Sequence, residues 1–229
     1  MNKNSLIYER TIQLIGESAF ERLQATRVIL FGAGGVGGWC AEALVRTGIG
    51  HLTIVDFDEI APSNLNRQLV ATQDTLGKPK SEALAARLNS IYPEAEIVAL
   101  QARYTAETAA MFQLQTYDYV IDAIDQVEDK MHLIWQATET EGVTLFSSMG
   151  AGRKMDPQQI RVAEFGKVEG CPLARALRTR MRKAGHWPKR KFRCVYSPEL
   201  SGERGTIAPV VGTFGMLLAG LVIRDLIDS

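Results

Sequence analysis

The chain has 229 residues, of which 46% are hydrophobic, and it carries 26 Lys and Arg residues against 26 Asp and Glu residues. This length and composition suit one large α/β domain and exclude global disorder. The three cysteines lie far apart without a CxxC pair, which argues against a structural zinc site and fits a reducing compartment.

The regular pattern begins with a strand, a helix and a second strand. The run RVILFG predicts a buried strand over 27–32, a helix follows over 38–48, and HLTIVD predicts a strand over 51–56. Because a crossover helix returns the chain in the same direction, we expect the two strands to be parallel. The predicted fold class is α/β, with a doubly wound, mainly parallel, Rossmann-like sheet.

This alternation continues to about residue 152 and then breaks. Up to that point we predict helices over 79–93, 106–115 and 130–142, and strands over 95–100, 117–125 and 143–152. Beyond it we predict a strand over 156–165, a basic helix, a strand over 194–200 and an apolar helix. We therefore expect a single domain over 1–229, with a core and N-terminal arm over 1–152 and a C-terminal extension of strands and helices over 153–229.

Two segments bear on localisation. The uncharged segment TIAPVVGTFGMLLAGLVI, residues 206–223, is long enough to raise the question of a membrane span. Because Pro209 and several glycines interrupt it, we favour a helix buried in the core or at a dimer interface. The N-terminal MNKNSLIYERTIQLIGE lacks the apolar stretch of a signal peptide. We expect a soluble cytoplasmic protein without a membrane partner.

A glycine-rich turn joins the first strand to its helix. Gly32, Gly34 and Gly37 form GxGxxG, which permits a tight turn and lets backbone N–H groups at a helix N-terminus approach a phosphate. Asp56 follows 24 residues after Gly32, where a carboxylate can bind ribose hydroxyls. The pattern predicts nucleotide binding without saying which nucleotide; the alternative is a turn needed only for helix–strand packing.

The next stretch, DEIAPSNLNRQLVATQDTLGKPK, is rich in amides and cations, for which a nicotinamide site has little use. Arg67 and Lys80 follow Asp56 and Asp58, so chain order places them near the carboxyl edge of the sheet. Two fixed cations there can hold a polyphosphate and balance the charge of a leaving pyrophosphate. Either cation taken alone would be an ordinary surface residue.

Asp125 ends another predicted strand at the same edge. A carboxylate there can hold Mg²⁺ on the phosphates, since Mg²⁺ favours a few carboxylates together with phosphate oxygens. Asp122 precedes it on the predicted strand, and the alternative is that one of the two carboxylates caps the next helix.

These stretches together carry a resemblance. GAGGVGG, DFDEIAPSNLNRQ, LGKPK and VIDAID resemble the ThiF/MoeB superfamily of adenylating enzymes, which includes the ubiquitin-activating enzymes. The resemblance implies ATP and Mg²⁺ rather than NAD, and adenylation of a carboxylate with release of pyrophosphate. It implies a nucleotide site formed by Gly32, Gly34, Gly35, Gly37, Asp56, Asp58, Asn64, Arg67, Gln68, Lys80 and Asp125.

The resemblance also implies roles for individual residues. Asp56 would bind the ribose, while Asn64, Arg67 and Lys80 would contact phosphates, and Asp125 would bind Mg²⁺. Arg10, in YERTIQLIGE, matches a superfamily arginine that reaches the γ-phosphate of ATP in the partner subunit. This match implies a homodimer whose catalytic residues are Arg10, Arg67, Lys80 and Asp125.

Within the superfamily, RTIQLIGE, SSMGAGRKMDPQQIRVAEF, CPLARALRTRMRK and CVYSPE resemble the tRNA threonylcarbamoyladenosine dehydratase branch. That branch activates the threonyl carboxylate of a modified tRNA adenosine, and the side chain's own nitrogen then closes a cyclic hydantoin with loss of water. The segment 173–193 holds nine Lys and Arg residues and no acid, which suits tRNA phosphates. The residues expected to bind RNA are Arg175, Arg178, Arg182, Lys183, Lys189, Arg190 and Lys191, with Trp187 or His186 stacked on a base.

Other functions stay open at this point. The basic segment is alternatively a solvated helix. A related activator of a small sulfur-carrier protein would adenylate the C-terminal glycine of that carrier. Such activators usually carry paired CxxC motifs, which this chain lacks. Cys194 could act as their nucleophile, although a lone cysteine beside Val195 is more often buried. A sulfur-transfer partner is also left open. A Rossmann dehydrogenase would bind NAD(P) without needing Arg67 or Lys80, and a silent nucleotide-binding scaffold would not need both of them together with Asp125.

Overall fold

The computed structural model describes residues 6–200 and 202–228. The first five residues, part of the segment searched for a signal peptide, lie outside the described residues. The strands are β1 (Arg27–Phe31), β2 (His51–Val55), β3 (Glu96–Leu100), β4 (Tyr119–Asp122), β5 (Thr144–Ser148), β6 (Arg161–Glu164) and β7 (Arg193–Tyr196). The helices are α1 (Glu9–Ile15), α2 (Glu17–Ala25), α3 (Gly37–Thr47), α4 (Lys80–Ile91), α5 (Val127–Glu139), α6 (Pro172–Lys183) and α7 (Ala208–Asp228).

The strands form one sheet in the order β3-β2-β1-β4-β5-β7-β6. Neighbouring strands are parallel except for the last pair, β6 and β7, which is antiparallel. From β1 the chain first adds β2 and β3 on one side of β1, and then crosses to the other side of β1 to form β4. This change of direction is the switch point at which open α/β sheets bind ligands. The predicted doubly wound, mainly parallel sheet is confirmed.

Helices cover both faces of the sheet, and each face has its own buried core. One cluster contains Leu44 of α3, Leu84 of α4 and Phe214 of α7. The other contains Leu133 of α5 and Leu177 of α6. Because strands buried on both faces have no solvent side, they read as continuous apolar runs such as RVILF. Strands β6 and β7 of the C-terminal extension complete the sheet formed by the core strands.

The apolar C-terminal segment forms α7, which is long and apolar enough to cross a membrane. Its side chains Val210, Phe214 and Leu218 are nevertheless buried in the core. Gly215 lies so close to α3 that a Cβ there would come within 2.5 Å of the Val36 carbonyl oxygen. The prediction of a helix buried in the core is therefore confirmed.

Several predicted elements differ from the structure in kind or in length. The strands predicted over 156–165 and 194–200 are shorter, as β6 and β7. The helix predicted over 106–115 is instead two 3₁₀ turns, Ala109–Phe112 and Leu114–Thr116, separated by Gln113 at φ 44°. A residue in the left-handed conformation cannot continue a helix. The strand predicted over 117–125 ends at Asp122, because the Asp122 side chain accepts the N–H of Ile124 and turns the chain. The strand predicted over 143–152 likewise ends early, at Ser148.

The N-terminal arm is fastened by Tyr8. Its side chain is buried, its hydroxyl donates to the Val45 carbonyl at 2.7 Å, and its ring meets those of Phe20 and Tyr92 at 5.1 Å each. This anchor holds the start of α1 against α3, so the side chains of α1 project from a fixed position.

Candidate functional site

A cavity of about 520 Å³ opens at the carboxyl ends of the central strands. This volume lies within the range of pockets that hold small molecules. The residues that follow β1, β2, β4 and β5 line it, together with parts of α6 and α7. It therefore occupies the switch point of the sheet, where the sequence predicts the nucleotide.

The glycine-rich loop forms one wall of this cavity. Gly32, at φ 95°, touches the loop after β4, because a Cβ on it would lie 2.7 Å from the Ala123 carbonyl oxygen. Gly34 and Gly35 line the cavity, whereas Gly37 does not. A Cβ on Gly37 would lie 1.7 Å from the Gly32 carbonyl oxygen, so this glycine lets α3 begin directly against the loop. The N-terminus of α3 thereby offers backbone N–H groups to an anion.

Asp56 is held rigidly at the end of β2. Its carboxylate accepts the N–H of Ala33 at 2.6 Å and the N–H of Asp58 at 2.9 Å. Burial raises the pKa of Asp56, although these two N–H donors favour the ionised form. Each carboxylate oxygen keeps a further lone pair, so the side chain can still accept hydrogen bonds from hydroxyl groups of a ligand in the cavity.

Arg67 and Lys80 both line the cavity, as predicted from chain order. The Lys80 side chain is buried and its ammonium lies 2.8 Å from the half-exposed carboxylate of Asp58. Arg67 donates to the Ser63 carbonyl at 2.8 Å and to the Asn66 side chain at 2.9 Å. Two cations fixed in this way can face a polyphosphate without further rearrangement.

The two amide side chains predicted for the site are placed differently. Gln68 lines the cavity, and its buried Oε1 atom has no hydrogen-bond partner among the described residues. Because an unpaired buried acceptor is costly, this atom fits a donor supplied by a ligand. Asn64 does not line the cavity; its Oδ1 atom accepts the N–H of Ala61 and closes its own turn. In this structure Asn64 therefore stabilises the loop that carries Arg67.

Asp125 is exposed and lines the cavity, three residues beyond the end of β4. Neither carboxylate caps the next helix, since Gln126 occupies the N-cap of α5. Across residues 6–200 and 202–228, no group of three or more His, Cys, Asp or Glu side chains could hold a metal ion. A single carboxylate fits Mg²⁺ that is shared with phosphate oxygens, because Mg²⁺ usually keeps few protein ligands in nucleotide sites.

Sequence reasoning missed a third cation at the cavity, Arg103. Arg103 lies after β3, with its Nη2 atom 2.8 Å from Asp129 and its guanidinium 5.5 Å from the centre of the Phe57 ring. All three residues line the cavity. They come from three separate loops and helices, so no spacing in the sequence connects them.

The far end of the cavity is lined by small residues. Ser148 ends β5, Gly150 and Gly152 follow it, Thr206 precedes α7, and Val211 lies in the first turn of α7. These short side chains leave this part of the cavity open.

Arg10 lies elsewhere. It is an exposed residue of α1 and is not among the residues that line the cavity of its own chain. The structure thus does not bring Arg10 together with Arg67, Lys80 and Asp125 within one subunit.

Two of the seven residues predicted to bind RNA are used inside the fold. Arg178 donates to the carbonyls of Phe165 and Val168. Arg190 donates to carbonyls at the end of α5 and in the turn that follows, those of Ala137, Thr140 and Val143. These bonds attach one guanidinium nitrogen of each residue to backbone carbonyls. Both side chains are half-buried, and RNA contacts by Arg178 and Arg190 stay a prediction.

The other five predicted cations are exposed: Arg175, Arg182, Lys183, Lys189 and Lys191. The ring of His186 is stacked on Trp135 at 4.4 Å and is paired with Glu139, so one of its faces is occupied. Trp187 is 44% exposed, and the Arg182 guanidinium lies 5.8 Å from its ring centre. Trp187 thus lies beside one of the exposed cations. We call this set, Arg175, Arg182, Lys183, Trp187, Lys189 and Lys191, the basic surface.

Cys194 is fully buried in β7. Burial raises the pKa of its thiol well above the usual value, which disfavours the nucleophilic thiolate. The interpretation of Cys194 as a core residue is supported, and a thiol mechanism is not.

Comparison with known proteins places these features in context. The ThiF family model matches residues 8–229. The chain is 39% identical over 192 residues to the tRNA threonylcarbamoyladenosine dehydratase of Bacillus subtilis (strain 168), covering 84% of this chain and 74% of that protein. The crystal structure of Escherichia coli TcdA, a tRNA N6-threonylcarbamoyladenosine dehydratase, in complex with ATP has a TM-score of 0.93 at 32% identity, covering 100% of this chain and 96% of that chain. The molybdopterin-synthase adenylyltransferase of E. coli (strain K12) is 32% identical over 228 residues, covering 98% of this chain and 83% of that protein.

Proposed function

The chain belongs to the ThiF family, and on that premise we propose that it is an ATP-dependent tRNA threonylcarbamoyladenosine dehydratase. The observation that carries the proposal is the cavity at the switch point, lined by the glycine-rich loop, Asp56, Arg67, Lys80 and Asp125. It occurs in a chain that aligns over its whole length with a dehydratase whose structure was solved with ATP. The similarity to the Bacillus subtilis dehydratase favours the same substrate.

In this proposal ATP lies along the carboxyl edge of the sheet. Asp56 accepts hydrogen bonds from the ribose hydroxyls, and the N-terminus of α3 with Gly34 and Gly35 contacts phosphate. Arg67 and Lys80 bind the phosphates that leave as pyrophosphate. Mg²⁺, held by Asp125 and phosphate oxygens, would supply further neutralisation of the phosphate charge.

The first chemical step joins the substrate carboxylate to the nucleotide. A carboxylate oxygen attacks the α-phosphorus of ATP, the bond to the β-phosphate breaks, and an acyl-adenylate and pyrophosphate result. Arg67 and Lys80 stabilise the charge that develops on the leaving pyrophosphate, because they are already fixed where it forms.

The second step closes a ring within the substrate. The ureido nitrogen at N6 of the adenosine attacks the activated carbonyl carbon and closes the five-membered hydantoin ring. AMP leaves with the carboxylate oxygen and that nitrogen loses its proton, so the net change is loss of one water. No enzyme thiol is required, since the nucleophile is tethered to the acyl group at high effective molarity. The small residues at the far end of the cavity leave room for this modified nucleoside.

The basic surface provides the contact with the rest of the tRNA in this proposal. Its exposed Lys and Arg side chains neutralise phosphates, and Trp187 offers a ring for stacking. The enzyme acts in the cytoplasm, where tRNA and ATP are available, and as a homodimer in which the exposed Arg10 reaches the ATP of the partner subunit.

Nucleoside mass spectrometry tests the proposal. The purified protein is incubated with MgATP and tRNA that bears threonylcarbamoyladenosine, and the tRNA is then digested under mild conditions. We expect ATP-dependent loss of one water from the modified nucleoside. If the nucleoside is unchanged while the protein converts ATP and a Gly-Gly carrier protein into a carrier adenylate, the sulfur-carrier function replaces this one.

A further inference from the structure

The loop between β4 and α5 presents Asp125 to the cavity. This loop, residues 123–126, has no regular secondary structure, yet its backbone is held at several points. The Ala123 N–H donates to the Phe31 carbonyl at 2.9 Å, and the Ile124 N–H donates to the Asp122 carboxylate at 3.1 Å. The position of Asp125 therefore depends on what holds its neighbours.

Lys130 provides a further anchor from the first turns of α5. Its ammonium donates to the Ile124 carbonyl at 2.9 Å and lies 2.7 Å from the Asp122 carboxylate. Both side chains of this pair are 0% exposed. One oxygen of Asp122 also accepts the hydroxyl of Ser147 at 2.6 Å. The residue preceding Asp125 is thus bound at both of its backbone groups: Lys130 donates to the Ile124 carbonyl, and Asp122 accepts the Ile124 N–H.

A fully buried ion pair needs an explanation beyond stability. Removing two charges from water costs free energy, and apolar side chains of similar volume often stabilise a core as well or better. The sheet hydrogen bonds between β4 and its neighbours do not involve these side chains. What the pair does contribute is a set of directional bonds to the N–H and the C=O of Ile124, which belong to two successive peptide units.

We propose that Lys130 is a positioning residue that, through its bond to the Ile124 carbonyl and its pair with Asp122, fixes the loop so that Asp125 faces the metal ion on the nucleotide. The inference rests on the proposed function, since it takes Asp125 as the Mg²⁺ ligand. Residues that orient a ligand commonly change metal affinity about 10- to 100-fold when they are altered.

The test uses the variant Asp122→Asn/Lys130→Met, which removes both charges together and leaves no unpaired buried ion. ATP affinity is measured by calorimetry with Mg²⁺ and again with EDTA, and amide exchange is followed for the peptide containing 123–126. We expect about a 10- to 100-fold loss of the affinity that Mg²⁺ adds, unchanged affinity in EDTA, and faster exchange of the loop. The same charge removal in an Asp125→Ala background should have no further effect on the Mg²⁺ contribution.

The matched control is Glu42→Gln/Arg87→Met. It removes the ion pair between the buried Glu42 and the exposed Arg87, which joins α3 to α4 away from the cavity. We expect it to leave both the Mg²⁺ contribution and the loop exchange as in the wild type.

Ser147→Ala is the second variant if the charge-removed protein does not fold. It deletes one hydrogen bond to Asp122 and no charge, and should shift both readouts in the same direction by a smaller factor. An unchanged Mg²⁺ contribution in a folded variant, or unchanged loop exchange, overturns the proposal. These readouts use ATP alone, so they do not depend on whether tRNA is the substrate.

Discussion

At the scale of single residues, the cavity combines buried charges that each have a fixed partner. Lys80 is held by Asp58, and Asp56 is held by two backbone N–H groups. Gln68 differs, because its buried oxygen has no partner within the described part of the chain. Partners that fix a side chain before the ligand arrives reduce the reorganisation needed during the reaction.

Lys80→Met removes the ammonium but keeps a side chain of similar length. We expect AMP formation to fall by about 10²- to 10³-fold, the usual cost of losing one fixed group that stabilises developing charge. Circular dichroism should show an unchanged fold. Lys78→Met is the control, since Lys78 is exposed and lies outside the cavity lining; equal activity of the two variants would remove Lys80 from the mechanism.

Cys194→Ala tests the absence of a thiol step. Because the Cys194 thiol is fully buried with a raised pKa, we expect the ATP-dependent loss of water to be retained. The measurement is again mass spectrometry of the digested tRNA. Loss of ring closure with acyl-adenylate formation preserved would instead indicate a covalent enzyme intermediate.

At the scale of elements, the C-terminal helix α7 shapes the site as well as the core. Its first residues line the cavity, and its middle packs against α3, the helix that begins at the glycine-rich loop. The close approach of the two helices depends on Gly215, where a Cβ would lie within 2.8 Å of α3 atoms. Their packing therefore connects the core to the nucleotide loop.

Gly215→Ala and Gly220→Ala form a matched pair within α7. The first places a methyl group against α3 and should lower the free energy of unfolding by about 1–3 kcal/mol. A Cβ at Gly220 would meet open space. Gly220→Ala should therefore raise the free energy of unfolding by about 0.5–1 kcal/mol, because alanine is more favourable than glycine in a helix. Urea denaturation measures both; equal effects would mean that the helices do not pack this closely.

At the scale of the whole molecule, charge is distributed unevenly. Nine of the 26 Lys and Arg residues lie in 173–193, which contains no acid, although the net charge of the chain is zero. Arg178 and Arg190 bind backbone carbonyls, Arg180 and Arg193 form ion pairs, and the other five cations of the segment belong to the basic surface. It can attract a polyanion although the protein as a whole is neutral.

Replacing Arg182, Lys183 and Lys189 with alanine tests this surface. We expect weaker tRNA binding and a salt dependence whose logarithmic slope decreases by about one for each lost phosphate contact. Filter binding at several salt concentrations gives the slope. Arg27→Ala, an exposed cation at the start of β1, should leave the slope unchanged; a triple variant with the wild-type slope would mean that tRNA binds elsewhere.

The proposed homodimer can be tested by complementation between two inactive variants. If Arg10 acts on the ATP of the partner subunit, Arg10→Ala and Lys80→Met proteins should each be inactive. Mixed dimers then contain one complete site, formed by Lys80 of one subunit and Arg10 of the other. Mixing after dissociation should restore part of the AMP formation, whereas a protein that acts as a monomer would stay inactive.

Local patterns in the sequence were sufficient for the fold class, the glycine-rich loop and the place of Arg67, Lys80 and Asp125. Strand and helix periodicities are local, and the carboxyl ends of parallel strands necessarily meet at one edge of the sheet. Chain order therefore predicted which of these side chains lie together. It could not predict where the strand before Asp125 ends, because that depends on a turn made by the Asp122 side chain.

Only the tertiary structure decided which charges face inward. Arg190 binds carbonyls 47 to 53 residues away, Lys130 pairs with Asp122 across a loop, and Arg103 meets Asp129 from another element. A cation has the same appearance in a sequence whether it meets a buried carbonyl, a carboxylate or water. The sequence alone predicted the edge of the sheet at which the cavity lies, while folding determined which basic residues face solvent, because partners distant in the chain become neighbours only in the folded protein.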